Sequence, residues 1–572
     1  FEFSTNEKVA MEVAATAAAS GLRSFTFMKH VGMNVASDSF MTTAYSGVNG
    51  GMVILSADDP SLFSSQNEQD TRNYGRLANV PILEPSNCQE VKDMVKYAFD
   101  LSEQFKLPVI VRTTTRVSHM RGVVEFGEVV DNSSEGESHW KKGFFKKNPA
   151  QFVPVPAFAK DMHVALVEKM DEINKITNES DFNVESYFSQ NKKYGVIASS
   201  SAYNYAYDVI RYNNLDIDVL KLGFSYPFPY DKVADFVKDY DEVFIVEEVD
   251  PIIEKDTLVA IGKNNLNTVV HGKLDGTFPV YHEFNSDIVA NGFNKYLNFI
   301  EENTDDYSDN LLNLQEEIPS RAPVLCAGCP HRAMYYGVNK ALEELGIPLK
   351  DAVFASDIGC YTLGINPPYN AADYLLSMGS SVGDGCGFSI ATNQKVISFI
   401  GDSTFFHSGI SPLINAVHNK NNFILTVLDN RITAMTGGQP NPGIPVDGMG
   451  DDAPEISIRK LALACGCNYV RVINPLNLDQ VVKTYKEALE RDEVCVIIAK
   501  APCTLIKGKT RKPPVNYIDS NCNGCNKCVS ELACPAISKD GGKIAIDQSM
   551  CDGCGVCIQV CKYGALEAGR GE

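Results

Sequence analysis

Several parallel α/β sheets in separate domains, followed by a small cysteine-rich α+β domain, is the fold class this sequence predicts. Three observations predict it. Short apolar runs rich in Val and Ile alternate with helical stretches through most of the chain, as strand–helix–strand units do. At 572 residues the chain exceeds what one core supports. Eight of its seventeen cysteines crowd between Cys522 and Cys561.

The elements follow in order. Phe1-Glu2-Phe3 reads as a strand stub. Ser4, Thr5 and Asn6 offer N-cap oxygens for a helix from about Glu7 to Ser20, which Gly21 closes. Strand runs come next at Ser24–Met28, Met52–Ala57, Val80–Leu83 and Val109–Arg112, with a helical pattern over Gln89–Phe105. Residues 130–160 are polar and contain Gly, Ser and Lys, so they read as an insertion or linker. A second α/β unit starts at Tyr194–Ala198 and has strands at Ile217–Leu222 and Glu242–Glu247. The acidic stretch Glu301–Glu317 precedes a third unit, from Val324 to about Pro502. Basic, Pro-containing residues 507–514 lead to a tail that repeats a cysteine triplet at Cys522 and Cys551. The predicted domains are therefore 1–160 (with its linker), 190–300, 323–505 and 513–572.

Composition excludes some functions. A net charge of −21 argues against nucleic acid, which needs a basic footprint. No apolar run is long enough for a spanning helix, and the N-terminus lacks the pattern of a secretory signal. Many cysteines in a long chain without such a signal read as thiols or metal ligands in a reducing compartment, here the cytoplasm. The chain opens on Phe1 rather than Met.

The tail carries the sharpest chemistry. Cys551-x2-Cys554-x2-Cys557-x3-Cys561 has the bacterial ferredoxin spacing. Cys522-x2-Cys525-x2-Cys528-x5-Cys534-Pro535 is the same pattern with two extra residues before its fourth cysteine. Three thiolates at this spacing wrap three irons of one cubane, and the fourth cysteine reaches across to the other cluster. Cys522, Cys525, Cys528 and Cys561 are thus assigned to one 4Fe–4S cluster, and Cys534, Cys551, Cys554 and Cys557 to a second. The alternative is a pair of structural zinc sites, which eight ligands in two such triplets disfavour.

In the third unit the apolar run Ile397–Ile400 ends in Gly401-Asp402-Ser403, and Phe423–Leu428 ends in Asp429-Asn430. Turns at the carboxyl ends of strands are where open α/β sheets bind ligands. Gly401 allows close backbone approach, and Asp402 and Asn430 supply hard oxygens suited to Mg²⁺ beside a diphosphate. Met378-Gly379-Ser380-Ser381 and Thr436-Gly437-Gly438 could cradle phosphates through backbone N–H groups. Two ordinary turns remain the alternative at this point.

GDS followed by DN resembles a thiamine-diphosphate (TPP) motif. DNRITAMTGGQPNPG, SMGSSVGDG, CAGCPHR (326–332), SDIGCYTLG (356–364), NEKVAMEVA (6–14), MKHVGMN (28–34) and SSQNEQD (64–70) resemble the 2-oxoacid:ferredoxin oxidoreductases, and within them the large (α) subunits of the indolepyruvate type. The resemblance covers essentially the whole chain and extends to the elongated first cysteine motif. It implies TPP-binding α/β domains, with 1–160 the pyrimidine-binding and 323–505 the diphosphate/Mg²⁺-binding domain. Residues 190–300 would form a transketolase-C-terminal-like domain and 513–572 a two-cluster ferredoxin-like domain. The implied reaction is oxidative decarboxylation of an aryl pyruvate to the aryl-acetyl-CoA, with coenzyme A as co-substrate and electrons passed through the clusters to an external ferredoxin. A smaller β subunit and an (αβ)₂ assembly are implied, as is a strand–helix segment before the position of Phe1.

The same resemblance carries roles to residues. Asp402 and Asn430 would bind Mg²⁺ through side chains and Ile432 through its carbonyl. Gly379, Ser380, Ser381, Gly401, Ser403, Thr436 and Gly437 would border the cofactor. Glu7 would contact the aminopyrimidine and favour its imino tautomer, which then takes the proton from the thiazolium carbon. Its ordinary alternative is a first-turn acid on the helix dipole, and Glu12 is its rival. Cys326, Cys329, Cys360 and Cys503 would hold a third 4Fe–4S cluster, against the alternative of buried structural thiols. Cys88, Cys386, Cys465, Cys467 and Cys495 are expected in the core. His30, Asn34, Gln66 and Glu68, expected on loops, are candidate substrate residues, as are His331 and His407.

Overall fold

The computed structural model describes residues 1–128, 142–300, 323–506, 508, 511–541 and 543–569. The acidic stretch Glu301–Glu317 and much of the expected linker at 130–160 lie outside them. The chain divides into two compact units, Asn6–Leu311, and Phe1–Thr5 with Leu312–Glu572.

The first unit contains two five-stranded sheets. One comprises β1 (Ser24–Lys29), β2 (Met52–Asp58), β3 (Ile82–Leu83), β4 (Val109–Thr114) and, after three strands of the other sheet, β8 (Phe224–Tyr226). Its order is β1-β2-β4-β3-β8, parallel except for the β3–β8 edge. The other comprises β5 (Val184–Ser186), β6 (Tyr194–Ala198), β7 (Ile217–Lys221), β9 (Glu242–Val246) and β10 (Val269–His271), in the order β10-β9-β6-β7-β5. Every residue of β4, β6 and β7 is buried, and the polar ones among them, such as Arg112 and Asp218, are paired.

Two expectations need correction. Phe1-Glu2-Phe3 forms no strand, and the two rings pack edge to face at 4.8 Å. The expected linker also contains helical chain, at Pro149–Phe152 and from Pro156 into a helix that runs to Asn178. Leu166, Met170, Ile173 and Thr177 bury one face of it, the first three in the core of the β1-containing sheet. No side chain caps its N-terminus, which removes the usual start signal.

The second unit is built on a fully parallel sheet of β11 (Ala352–Ala355), β12 (Lys395–Gly401), β13 (Ile424–Asp429), β14 (Tyr469–Ile473) and β15 (Cys495–Lys500), in the order β11-β12-β13-β15-β14. Gly401 lies opposite Leu428, so the turns that follow β12 and β13 emerge side by side. The tail adds two antiparallel pairs, β16 (Asn516–Tyr517) with β19 (Leu566–Glu567) and β17 (Ile537–Asp540) with β18 (Lys543–Ile546). Its core includes Leu532, Val556 and Leu566 and reaches Ala333 and Leu478 of the α/β body. Among the described residues no helix is long and apolar enough to cross a membrane.

Candidate cofactor and cluster sites

The turns after β12 and β13 bring Asp402, Asp429 and Asn430 together, all buried. Asp402 Oδ1 accepts from the Ser403 amide at 2.8 Å. Its Oδ2 accepts from the Arg431 amide at 2.9 Å and from Asn441 Nδ2 at 3.0 Å. Burial, and then the neighbouring Asp429, push the Asp402 carboxyl up to about 7 despite these donors. Burial likewise raises Asp429, against the pull of Arg431 and Lys500. Two buried carboxyl groups short of positive charge fit a divalent cation, whose charge would offset their desolvation. Asn430 Oδ1 accepts from the Ile432 amide at 3.2 Å, and Arg431 between them has φ +67°, a left-handed conformation that turns the chain sharply.

Asn441 was not singled out from the sequence. It is buried, bonds both Asp402 and Ser403 Oγ (2.9 Å), and accepts from the Gly443 amide at 2.9 Å. It is the first residue of an Asn-Pro-Gly turn after the Thr-Gly-Gly loop, and that turn signal is its only local trace. Gly401 is required, though for a different neighbour than expected: a Cβ there would come within 2.5 Å of the Tyr361 ring.

The expected phosphate cradles need revision. Asp357, fully buried, accepts from the amides of Gly379 (2.8 Å), Ser381 (3.1 Å) and Ile358 (2.7 Å). A carboxylate of the chain itself thus stands at the start of the helix Ser380–Ala391, where a phosphate was expected. Ser380 Oγ donates to Asp384 at 2.8 Å. The Thr436-Gly437 loop is exposed and closes on itself through Thr433 N to Gln439 O and Gly438 N to Thr433 O, both 3.0 Å. Burial holds Asp357 up at about 6 and His331 down at about 4. His407 is buried and hydrogen-bonds Ser408.

The cysteines fall into three places in this unit. One apolar cavity is bordered by Cys534, Cys551, Cys554 and Cys557. A second is bordered by Cys522, Cys525, Cys528 and Cys561. The two triplets repeat one backbone device, with left-handed residues at Gly524 and Asn526 and again at Gly553 and Gly555, which curls each loop round its cavity. In the third place, burial and then the neighbouring Cys503 and Cys326 raise the Cys360 thiol, and burial raises Cys329, with Cys326 beside it. The Cys503 amide donates to the Asn430 carbonyl at 2.9 Å. Burial pushes Cys329 and Cys557 up to about 12, so a metal's charge is what would make them thiolates. Among the described residues no three His, Cys, Asp or Glu side chains converge on a single-ion site. Cys386, Cys467 and Cys495 are buried and Cys88 and Cys465 half-buried.

In the first unit, Glu7 opens the helix Glu7–Ala19, which Asn6 caps by accepting from Val9 N at 2.9 Å. Its side chain lies over Gly32, where a Cβ would come within 2.7 Å of Glu7 Cγ. Glu12 instead pairs with Lys8 on the outer face and accepts from Ser39 Oγ at 3.0 Å. His30 and Asn34 are not on a loop: they lie in the first turns of the helix His30–Ser46, which follows β1 without a break. His30 is fully buried, with Nε2 3.1 Å from the Asn67 carbonyl and Nδ1 without a hydrogen-bond partner among the described residues. Asn34 accepts from Tyr74 Oη. Gln66 is exposed. The two oxygens of Glu68 accept from the amides of Ser61 (2.7 Å) and His282 (3.2 Å).

Three families match parts of this chain: pyruvate flavodoxin/ferredoxin oxidoreductase, thiamine diphosphate-binding, over residues 4–189; thiamine pyrophosphate enzyme, C-terminal TPP-binding domain, over 357–499; and the 4Fe-4S dicluster domain over 514–562. Together they define a TPP-dependent oxidoreductase that carries iron–sulfur clusters. Relatives are similar over nearly the whole of this chain. "Indolepyruvate oxidoreductase subunit IorA" of Methanothermobacter marburgensis is 55% identical over 99% of this chain and 90% of its own length. The proteins of that name from Pyrococcus horikoshii and Archaeoglobus fulgidus are each 41% identical over all of this chain, covering 90% and 89% of their own lengths. The chain belongs to the family of indolepyruvate oxidoreductase IorA subunits.

Proposed function

We propose that this subunit carries the TPP and iron–sulfur sites of an enzyme that oxidatively decarboxylates aryl pyruvates, indolepyruvate foremost, to aryl-acetyl-CoA and delivers the electrons to an external ferredoxin. The observation that carries this reading is the bond from the Cys503 amide to the Asn430 carbonyl. It joins a cysteine of the third group directly to the turn that fits a cation and diphosphate. TPP would supply the acidic thiazolium carbon and the electron sink, and the clusters one-electron acceptors.

In this reading Asp402 and Asn430 hold Mg²⁺ with the Ile432 carbonyl, Asn441 fixes the Asp402 carboxylate, and Ser403 and Gly401 border the diphosphate. Glu7 holds a proton at the aminopyrimidine nitrogen. The three cysteine groups hold three 4Fe–4S clusters. His30 and Asn34, on one helix with Gly32, bind on the substrate side. The domain limits given above, a smaller β subunit in an (αβ)₂ assembly, coenzyme A as acyl acceptor and a cytoplasmic setting complete it. The names of the relatives support the substrate.

The test uses the complex with its small subunit. Indolepyruvate- and CoA-dependent ferredoxin reduction is expected, and Glu7→Gln should lower it at least about a hundredfold, the scale of general acid–base catalysis, with iron content unchanged. Equal activity of Glu7→Gln would remove the catalytic assignment and leave an electron-transfer subunit.

A further inference from the structure

The first cysteine motif has five residues, Val529 to Ala533, where the second has three. Nothing in the cluster assignment uses the extra length. The structure shows what it touches. Arg332, six residues after Cys326 and 4% exposed, lies between this stretch and the Cys326–Cys329 loop. Its Nη2 donates to the carbonyls of Leu325 and Cys326, the latter at 3.2 Å. Its Nη1 donates to the carbonyls of Leu532 (3.2 Å) and Ala533 and to Tyr369 Oη (2.6 Å). Tyr369 Oη in turn donates to Leu532 O. Ala533 has φ +47°, a strained conformation for alanine that the guanidinium contacts hold in place. A planar fork with donors on two sides can tie two loops together; a lysine ammonium cannot repeat that geometry.

The two loops tied in this way border one cavity. Ala327, Gly328, Cys329 and Arg332 line it together with Cys534, Cys551, Cys554 and Cys557. A Cβ on Gly328 would come within 2.6 Å of Asp552 Cβ, so the loop meets the second cysteine triplet backbone to side chain. We propose that Arg332 is a positioning residue that clamps the Val529–Ala533 strap to the Cys326–Cys329 loop and so sets the separation between the third cysteine site and the Cys534/Cys551/Cys554/Cys557 site. The clamp grips Leu532 and Ala533, at the end of the lengthened stretch. The Cys522/Cys525/Cys528/Cys561 site, which none of these loop residues lines, is then the outer one. This inference rests on the reading that these cysteines hold clusters.

The experiment compares the full chain with Arg332→Met, Arg332→Lys and a variant lacking Ser530 and Glu531, each purified anaerobically and reduced with dithionite. Iron content is read first: about twelve irons per chain support the three-cluster reading, and about eight remove the third site and this proposal with it. With iron unchanged, the EPR spectrum of the reduced wild type should show spin–spin broadening between neighbouring clusters. The part of that broadening that comes from the third cluster should be lost in Arg332→Met and in the deletion, leaving only the coupling between the two tail clusters, and should not be restored by Arg332→Lys. Unchanged broadening in all three variants would overturn the clamp. If Arg332→Met fails to fold, Tyr369→Phe removes one of the clamp's bonds and is expected to weaken the broadening; no change there would overturn the proposal equally.

Discussion

Two buried polar clusters, one in each unit, look alike in sequence and differ in charge. In the first unit Arg72 and Arg112 sit within 2% exposure among Asp58, Asp70, Glu84 and Glu247. Arg72 bonds Asp70 (2.6 Å) and Glu247 (2.7 Å); Arg112 bonds Asp58 (2.6 Å) and Glu84 (2.7 Å). Burial alone would raise Asp70, but Arg72 and Arg112 bring it well below the usual carboxylate range. In the second unit Asp402 and Asp429 share a site, and Asp402 is instead pushed up to about 7. The first cluster contains its own cations and holds the two sheets of its unit together. In the second, Arg431 and Lys500 pull on Asp429 but do not outweigh burial. A buried carboxylate pair whose own cations do not outweigh its desolvation is a place for an external cation.

The largest effect should come from breaking the closed cluster. Arg72→Met leaves Glu247 buried without its arginine and Asp70 with only Arg112 at 3.6 Å, which should cost about 3–5 kcal/mol, read as a lower denaturation midpoint for the first unit. Next, Asn441→Ala removes two donors from the Asp402 site and should weaken Mg²⁺-dependent TPP binding by about 1–2 kcal/mol, measured calorimetrically, while the midpoint of the first unit stays put. Asp70→Asn should destabilise the chain, whereas Asp402→Asn should not, because it removes a repulsion; thermal unfolding without ligands distinguishes them. The smallest effect belongs to Glu12→Gln, which breaks an exposed pair with Lys8 and should change stability by no more than about 0.5 kcal/mol.

Much of this was visible beforehand because parallel sheets bury both faces of their strands. β12 and β13 are apolar runs with abrupt ends, and the ends locate the Asp402 and Asn430 turns. What stayed hidden depends on partners far away in sequence. β8 has three residues and is a strand only because β3 pairs with it. Asn441 meets Asp402 across 39 positions and Arg332 meets Ala533 across 201, with no periodicity to mark either. Asp357 lay inside a quoted motif, but its capture of the Gly379 and Ser381 amides needs a fold to be seen. His30 and Asn34 looked like loop residues because no N-cap side chain separates their helix from β1.

The central claim is that the carboxyl ends of β12 and β13 hold a cation and a diphosphate through Asp402. Thermal unfolding of wild type and Asp402→Asn with and without Mg²⁺ and TPP tests it most directly. The wild type should unfold at a higher temperature when both are present and not with TPP alone, by mass action on the folded state; Asp402→Asn should show no such rise. An equal rise in the variant would contradict the assignment.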